Sequence, residues 1–406
     1  MHICVISSYF PQHCGIASYT HYLARALKSS EESLKLTLIT EKSNLEKHSL
    51  LFNIFPVFNR DEDYSSQLIL LLKKLNPDVV HIQHEYGIFG YDNRFLNLLE
   101  QLRSAGIPVI VTLHTVHTRL SFFTGCSHPQ IRHLLKKVDI EKYQQRVGEL
   151  ANMIIVHQEK SIRQILLRQG ISPKKVITIP HGTLVAKTID KHLAKSALGI
   201  KKHEPLILAF GYLEPSKNLL FLIKAFRKVK VHLPDAKLFL CGYIRFSTSK
   251  SVSYKARCLK LIDTYNLNND VIFTDDVIPE KKVPEVLSAA DVIAFVYNED
   301  THSSSGALHI ALGLGKPVVA SRIPKFEELS GVSDELLVDP KSVRELSALL
   351  IRLILDHDFK QYVSVKVKLY ARQTAWPLVA KKHSRVYYKL APFQNPKRLY
   401  LKIVNQ

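Results

Sequence analysis

A chain of 406 residues is too long for one ordinary hydrophobic core and suits two domains of similar size. With 46% hydrophobic and 23% charged residues it has the composition of a globular protein, and no apolar run approaches the roughly 20 residues that span a bilayer. The formal net charge of +20 calls for an anionic partner.

The N-terminus enters a strand at once without a basic leader, so no signal peptide is expected. Five cysteines, Cys4, Cys14, Cys126, Cys241 and Cys258, lack paired metal spacing and read as reduced thiols of a cytoplasmic protein. Residues 2–7 form a continuous apolar strand that runs into the loop YFPQHCGIA, and residues 18–27 repeat apolar side chains at helical spacing. A strand, a Pro/Gly loop and a helix make a phosphate-facing turn, in which Gly15 lets the backbone approach a ligand; an ordinary βα loop is the plainer alternative.

Residues 34–40 read as a second strand and 64–75 as a helix closed by Asn76-Pro77. Residues 78–84 form a buried strand that ends in Gln83, His84 and Glu85, and 109–113 form another that ends in His114, Thr115, His117 and Thr118. Ligands of α/β folds bind beyond the carboxyl ends of parallel strands, so two strands ending alike mark a site edge. For His114 the alternative is a core histidine satisfied by a backbone carbonyl. Residues 139–150 and 161–169 read as helices, with strands at 153–156 and 176–179, and the Lys-rich segment 184–204 reads as a domain junction.

The second half restarts the pattern. A strand at 206–210 leads into the loop GYLEPSKN and an amphipathic helix at 219–229, with Lys217 placed to neutralise a phosphate held at the helix start. Strands follow at 237–241 and 271–274, the second ending in Asp275-Asp276, then a short helix at 284–289 and a segment at 291–297 that leads to THSSSGALHIALGLGKPVVAS. There Ser303, Ser304, Ser305 and Gly306 precede a short apolar helix, and Gly315-Lys316-Pro317 stops it before a buried parallel strand. Unpaired N–H groups at that helix start would form an anion site. Residues 339–357 and 360–374 read as helices. The tail from 375 carries Lys381, Lys382, Arg385, Lys389, Lys397, Arg398 and Lys402, no acid, and Trp376, Tyr387, Tyr388, Phe393 and Tyr400. Such a mixture suits a peripheral contact with an anionic membrane, or a solvated helix face packed by its aromatics; without a recognition motif, nucleic acid is not expected.

In their order and spacing the loop FPQHCGIASY, the strands PDVVHIQHEYG and VIVTLHT, the turn VITIPHGT, the loop FGYLEPSKN and the stretch ADVIAFVYNEDTHSSSGALHIALGLGKPVVAS resemble the retaining, nucleotide-sugar-dependent glycosyltransferases of family 4. The resemblance covers almost the whole chain. It implies an α/β protein of GT-B fold, two Rossmann-like doubly wound domains facing across a cleft: an acceptor-binding domain at 1–185, a nucleotide-sugar-binding domain at 186–374, and a segment at 375–406 that crosses back to the first. It further implies that Gly15 lies against the donor phosphates and that His114 contacts the sugar or the transition state. Lys217 would neutralise the diphosphate of a UDP- or GDP-sugar, and the N–H groups of Ser304, Ser305, Gly306, Ala307 and Leu308 would bind its oxygens. No metal and no cofactor beyond that donor co-substrate are expected, and the acceptor would be a glycan or lipid-linked saccharide.

The sequence also departs from the family pattern. His302 and Ile310 stand in the slots of its two glutamates, which leaves the donor ribose to a loop carboxylate, Glu299 or Asp300. Tyr212, in the donor loop, occupies the position of an arginine five residues before the lysine, so Lys316 or Arg322 is expected to supply the second base. A non-catalytic binding module of the same fold and a GT-B nucleotide-sugar epimerase are the rival readings.

Overall fold

The computed structural model describes residues 1–12, 14–42, 51–125, 138–186, 189–244, 248–274, 278–299 and 301–391. Cys126, Asp275, Asp276 and Asp300, together with Phe393, Lys397, Arg398, Tyr400 and Lys402 of the tail, lie outside the described residues. The chain divides into two compact units: Met1–Gly182 with Thr301–Ser304 and Trp376–Gln406, and Thr183–Asp300 with Ser305–Ala375.

The first unit is built on parallel strands β1 (His2–Ile6), β2 (Lys35–Glu41), β3 (Asn53–Phe58), β4 (Val79–His84), β5 (Val109–Leu113), β7 (Met153–Val156) and β8 (Val176–Thr178), in spatial order β3-β2-β1-β4-β5-β7-β8. Alternate residues of β1 enter different cores, Ile3 and Val5 on one face and Cys4 and Ile6 on the other. Burial on both faces is what makes β1 and β7 read as nearly continuous apolar runs. The edge strand β3 carries Pro56, which cannot donate to a ladder, and no strand is apparent there from the sequence. Helix Gly15–Ser30 starts at Cys14, whose Sγ accepts the Ala17 N–H at 3.4 Å. Helix Trp376–Leu390 lies on this unit and buries Trp376, Val379, Val386 and Tyr387 with Ile3, Val5 and Leu23. Lys381, Lys382, Arg385 and Lys389 stand exposed on its other side. After β5, the short strand β6 (Thr115–Val116) pairs antiparallel with His302–Ser303, a later piece of chain that belongs to this unit.

With His302–Ser303 counted as β13, the second unit holds β9 (Leu206–Phe210), β10 (Lys237–Cys241), β11 (Val271–Phe273), β12 (Val292–Phe295), β14 (Val318–Ser321) and β15 (Leu337–Val338). Their order, β11-β10-β9-β12-β14-β15, is doubly wound, and its direction reverses between β9 and β12. That reversal opens a crevice beyond the carboxyl ends of the two strands. Helices Leu219–His232, Val343–Leu355 and His357–Gln373 close one continuous core with these strands. Helix Ser249–Thr264, capped by the Thr248 hydroxyl on the Ser251 N–H, is a second element not read from the sequence.

Candidate functional site

At the switch point of the second unit a pocket is lined by Phe210, Gly211, Tyr212, Lys217, Cys241 and Tyr297, among others. The loop after β9 is shaped by a close backbone approach. Gly211 N–H donates to the Cys241 carbonyl and Leu213 N–H to the Tyr243 carbonyl. A Cβ on Gly242 would sit 1.7 Å from the Gly211 carbonyl oxygen, and Gly211 itself has φ +142°, so both positions require glycine. The loop ends in the short turn Pro215–Lys217, and Asn218, in left-handed conformation, turns it into helix Leu219–His232.

Lys217 is partly buried, and its ammonium lies 3.8 Å from the centroid of the Tyr297 ring. Among the described residues Nζ has no hydrogen bond and no ion pair within 4 Å. Burial lowers the lysine's pKa, nearby Glu299 acts in the opposite sense, Lys325 adds to the lowering, and Glu214 again opposes it. A partly desolvated ammonium held only by a ring face is costly unless an anion joins it. Tyr212 packs against Tyr243, their rings 5.3 Å apart, and supplies no charge where the arginine was missing.

The bases expected to compensate lie elsewhere. Lys316 precedes β14, at the amino end of the sheet, and its Nζ donates to the carbonyls of Ser288 and Ala290, the latter at 3.1 Å. Burial lowers its pKa to about 8. Arg322 follows β14 but spends its guanidinium on the Leu337 carbonyl at 2.8 Å. The cation that does stand near Lys217 is Lys325, which pairs with Glu299 at 3.2 Å. Glu299 is therefore engaged with a lysine, and a ribose would have to compete for it.

Ser305 caps helix Gly306–Gly313, and its Oγ accepts the Leu308 N–H at 3.3 Å. Leu308 thus has its donor satisfied inside the protein, which corrects the expectation that it would bind a phosphate oxygen. The Gly306 and Ala307 N–H groups, in the first turn of the helix, have no intrahelical acceptor and keep that capacity. Ser304 belongs to the first unit, and Ser305 through Leu308 belong to the second. Ile310 is partly buried against the core of the second unit, so no acid occupies the second glutamate slot. His309 beside it is buried, with ring nitrogens 2.7 Å from Thr183 Oγ1 and 3.2 Å from Glu328 Oε1.

In the first unit the polar strand ends mostly bond to one another. His114 is 6% exposed, its Nε2 faces the Gln83 carboxamide at 2.9 Å and its Nδ1 faces His157 Nε2 at 3.2 Å. His157 Nδ1 lies 2.9 Å from the Ile179 carbonyl, and a neutral His114 has one N–H to give, either to Gln83 Oε1 or to His157 Nε2. Burial, followed by the neighbouring histidines, holds the His114 pKa well below the ordinary value. Both ring nitrogens of His114 thus lie against protein side chains, and Tyr19 lies edge-on at 4.7 Å. The partners are side chains, not the backbone carbonyl of the bland alternative. His84 is fully buried among Tyr86, Phe89 and Phe95, and neither ring nitrogen has a hydrogen-bond partner. Glu85 accepts from the Thr115 hydroxyl at 2.8 Å. Among the described residues nothing lies within 4 Å of a Cβ built on Gly15, so their packing does not demand glycine.

Comparison with known proteins follows the same division of the chain. The family described as "Glycosyltransferase Family 4" matches residues 14–185, and that described as "Glycosyl transferases group 1" matches residues 204–356. A probable sucrose-phosphate synthase of Beta vulgaris is 28% identical over 198 residues, 46% of this chain and 18% of that protein. Sucrose-phosphate synthase 1 of Arabidopsis thaliana is 30% identical over 160 residues, 38% of this chain and 15% of its length. The matched stretch is thus a minor part of these curated relatives. Among solved structures, sucrose-phosphate synthase of Thermosynechococcus elongatus superposes with TM-score 0.69 at 18% identity, covering 96% of this chain and 99% of that one. HepE of Anabaena in complex with UDP superposes with TM-score 0.71 at 15% identity, covering 96% and 100%. At such identities the likeness is one of fold, the two-domain GT-B architecture.

Proposed function

The chain belongs to the glycosyltransferases of group 1 and family 4, and on that premise we propose that it moves a hexose from a UDP- or GDP-sugar to a glycan or lipid-linked acceptor with retention of configuration. The observation that carries this reading is the Lys217 ammonium, partly buried at the switch point of the second unit and set on the face of the Tyr297 ring. A retaining transfer passes through an oxocarbenium-like state while negative charge builds on the leaving phosphate. Lys217 would offset that charge, with the N–H groups of Gly306 and Ala307 as further donors. That solved neighbours are complexes with UDP and with UDP-glucose favours uridine as the donor base. Gly15 would lie against the donor phosphates, and the acceptor would bind the first unit.

His114 enters as a positioning residue: neutral and set between Gln83 and His157, it ties the ends of β4, β5 and β7. The exposed Lys381, Lys382, Arg385 and Lys389 support a peripheral contact with an anionic membrane from the cytoplasmic side, at about 1 kcal/mol per base near the headgroups. Purified protein incubated with UDP- and GDP-sugars and candidate acceptors tests the reading. It predicts release of the nucleoside diphosphate and a product whose anomeric configuration matches the donor. The second reading, a binding module without transfer, is favoured by Ile310 in a glutamate slot; nucleotide binding without turnover across the acceptors would establish it in place of the first.

A further inference from the structure

Three loops leave the carboxyl edge of the second sheet side by side. They follow β9, β12 and β14, which are adjacent and parallel in that order. At about 4.8 Å per strand, the outer two stand roughly 10 Å apart with the β12 loop between them. From the β9 side Lys217 lays its ammonium on the ring of Tyr297. From the β14 side Lys325, in the turn Pro324–Gly331, places Nζ 3.2 Å from Glu299 Oε1. Both lysines thus come down on the same short piece of the β12 loop, two residues apart. The side chains of Lys325 and Glu299 are 13% and 17% exposed, so this pair is screened far less than a surface salt bridge.

A diphosphate brings more than one negative charge, and one lysine leaves it incompletely neutralised. Tyr212, which lines the same pocket, adds none. We propose that Lys325 is the second diphosphate-binding cation of this protein, that it takes the part the β9 loop leaves to Tyr212, and that Glu299 is the counter-ion it exchanges for the phosphate. This inference rests on the donor reading above and adds a residue and an exchange to it. Lys325 reaches the site from a different strand, so the pair of cations is rebuilt around β12 instead of within one loop. Glu299 holds the Lys325 stem in place before the ligand arrives, and the incoming phosphate must compete with its carboxylate.

Titration calorimetry with inorganic pyrophosphate, UDP, GDP and the bare nucleosides tests this on the full chain. Lys325→Ala is expected to weaken pyrophosphate and nucleoside diphosphate binding about tenfold or more, the loss typical of one charge-assisted hydrogen bond, and to leave nucleoside binding unchanged. Lys325→Arg should restore most of the affinity, and Glu299→Gln should tighten pyrophosphate binding by removing the competing charge. Wild-type diphosphate affinity in Lys325→Ala, with binding lost in Lys217→Ala, would overturn the inference and leave the donor site standing. Weaker pyrophosphate binding by Glu299→Gln would overturn the exchange. Should the wild-type protein bind no diphosphate at all, the donor reading itself falls and the inference with it. Lys325→Met keeps the apolar stem and serves as the variant if the alanine form does not fold.

Discussion

The proposed chemistry of the second unit rests on one side chain, Lys217. If it offsets charge on a leaving phosphate, Lys217→Ala should lower kcat/KM for transfer about 100-fold, the scale of removing one preorganised donor, with the fold intact by circular dichroism. Its pKa is lowered by burial, and a phosphate needs the charged form, so the sign is fixed: activity is retained at neutral pH and lost as pH rises through a value below that of an ordinary lysine. A pH profile of kcat/KM whose alkaline limb fell only where a free lysine titrates would contradict this placement. Gly15 gives the complementary case. Because a Cβ there meets no atom of the described residues, Gly15→Ala should leave thermal stability unchanged and raise the donor KM; an unchanged KM would remove the glycine from the site.

At the scale of elements, the loop after β9 is held by its approach to the end of β10. Gly242→Ala would drive a methyl group into the Gly211 carbonyl, so the loop carrying Lys217 must shift, and donor binding should weaken along with stability. Calorimetric donor titration of that variant checks it, and wild-type affinity would show the approach to be incidental. The elements themselves were legible where the apolar signal was strong: β1, β5, β9, β10 and β14 are short, mainly apolar runs because both faces of their sheets are covered. The edge strand with Pro56 and the helix Ser249–Thr264, polar along most of its length, gave weaker signals. Polar strand ends misled in a specific way. His84, His114, His117 and Gln83 sit where ligands of α/β folds bind, yet Gln83 and His114 turn to one another and His84 is buried among aromatic rings, because a register that buries both faces leaves these side chains little solvent. Lys325 could not be read as a site residue at all, since only the adjacency of β9, β12 and β14 brings it to Glu299.

For the whole molecule, the neutral histidines of the first unit set the response to acid. Burial lowers His84 to about 3 and His117 and His383 to about 4, and holds His81 and His114 well below the ordinary value. Depressed folded-state values mean that the unfolded chain binds these protons first, so the stability they contribute is present above about pH 6.5 and is lost as pH falls toward the folded values. By pH 5 the cost is about 2 kcal/mol for each such histidine, before any coupling between them. Thermal melts should therefore drop steeply as pH falls from 6.5 to 5. His84→Phe, which removes two unpartnered nitrogens from an aromatic cluster, should raise the melting temperature and reduce that slope. The net charge of +20 also matches an anionic substrate and an anionic membrane surface, and predicts donor binding that weakens with added salt.

The account stands on one ligand class at the switch point of the second unit. Titrating the purified chain with UDP and GDP, in the wild-type form and as Lys217→Ala, measures it most directly. The account predicts saturable binding of at least one nucleoside diphosphate by the wild type and a loss of at least tenfold in the variant. Equal affinity in the two forms, or no binding by the wild type, would contradict it.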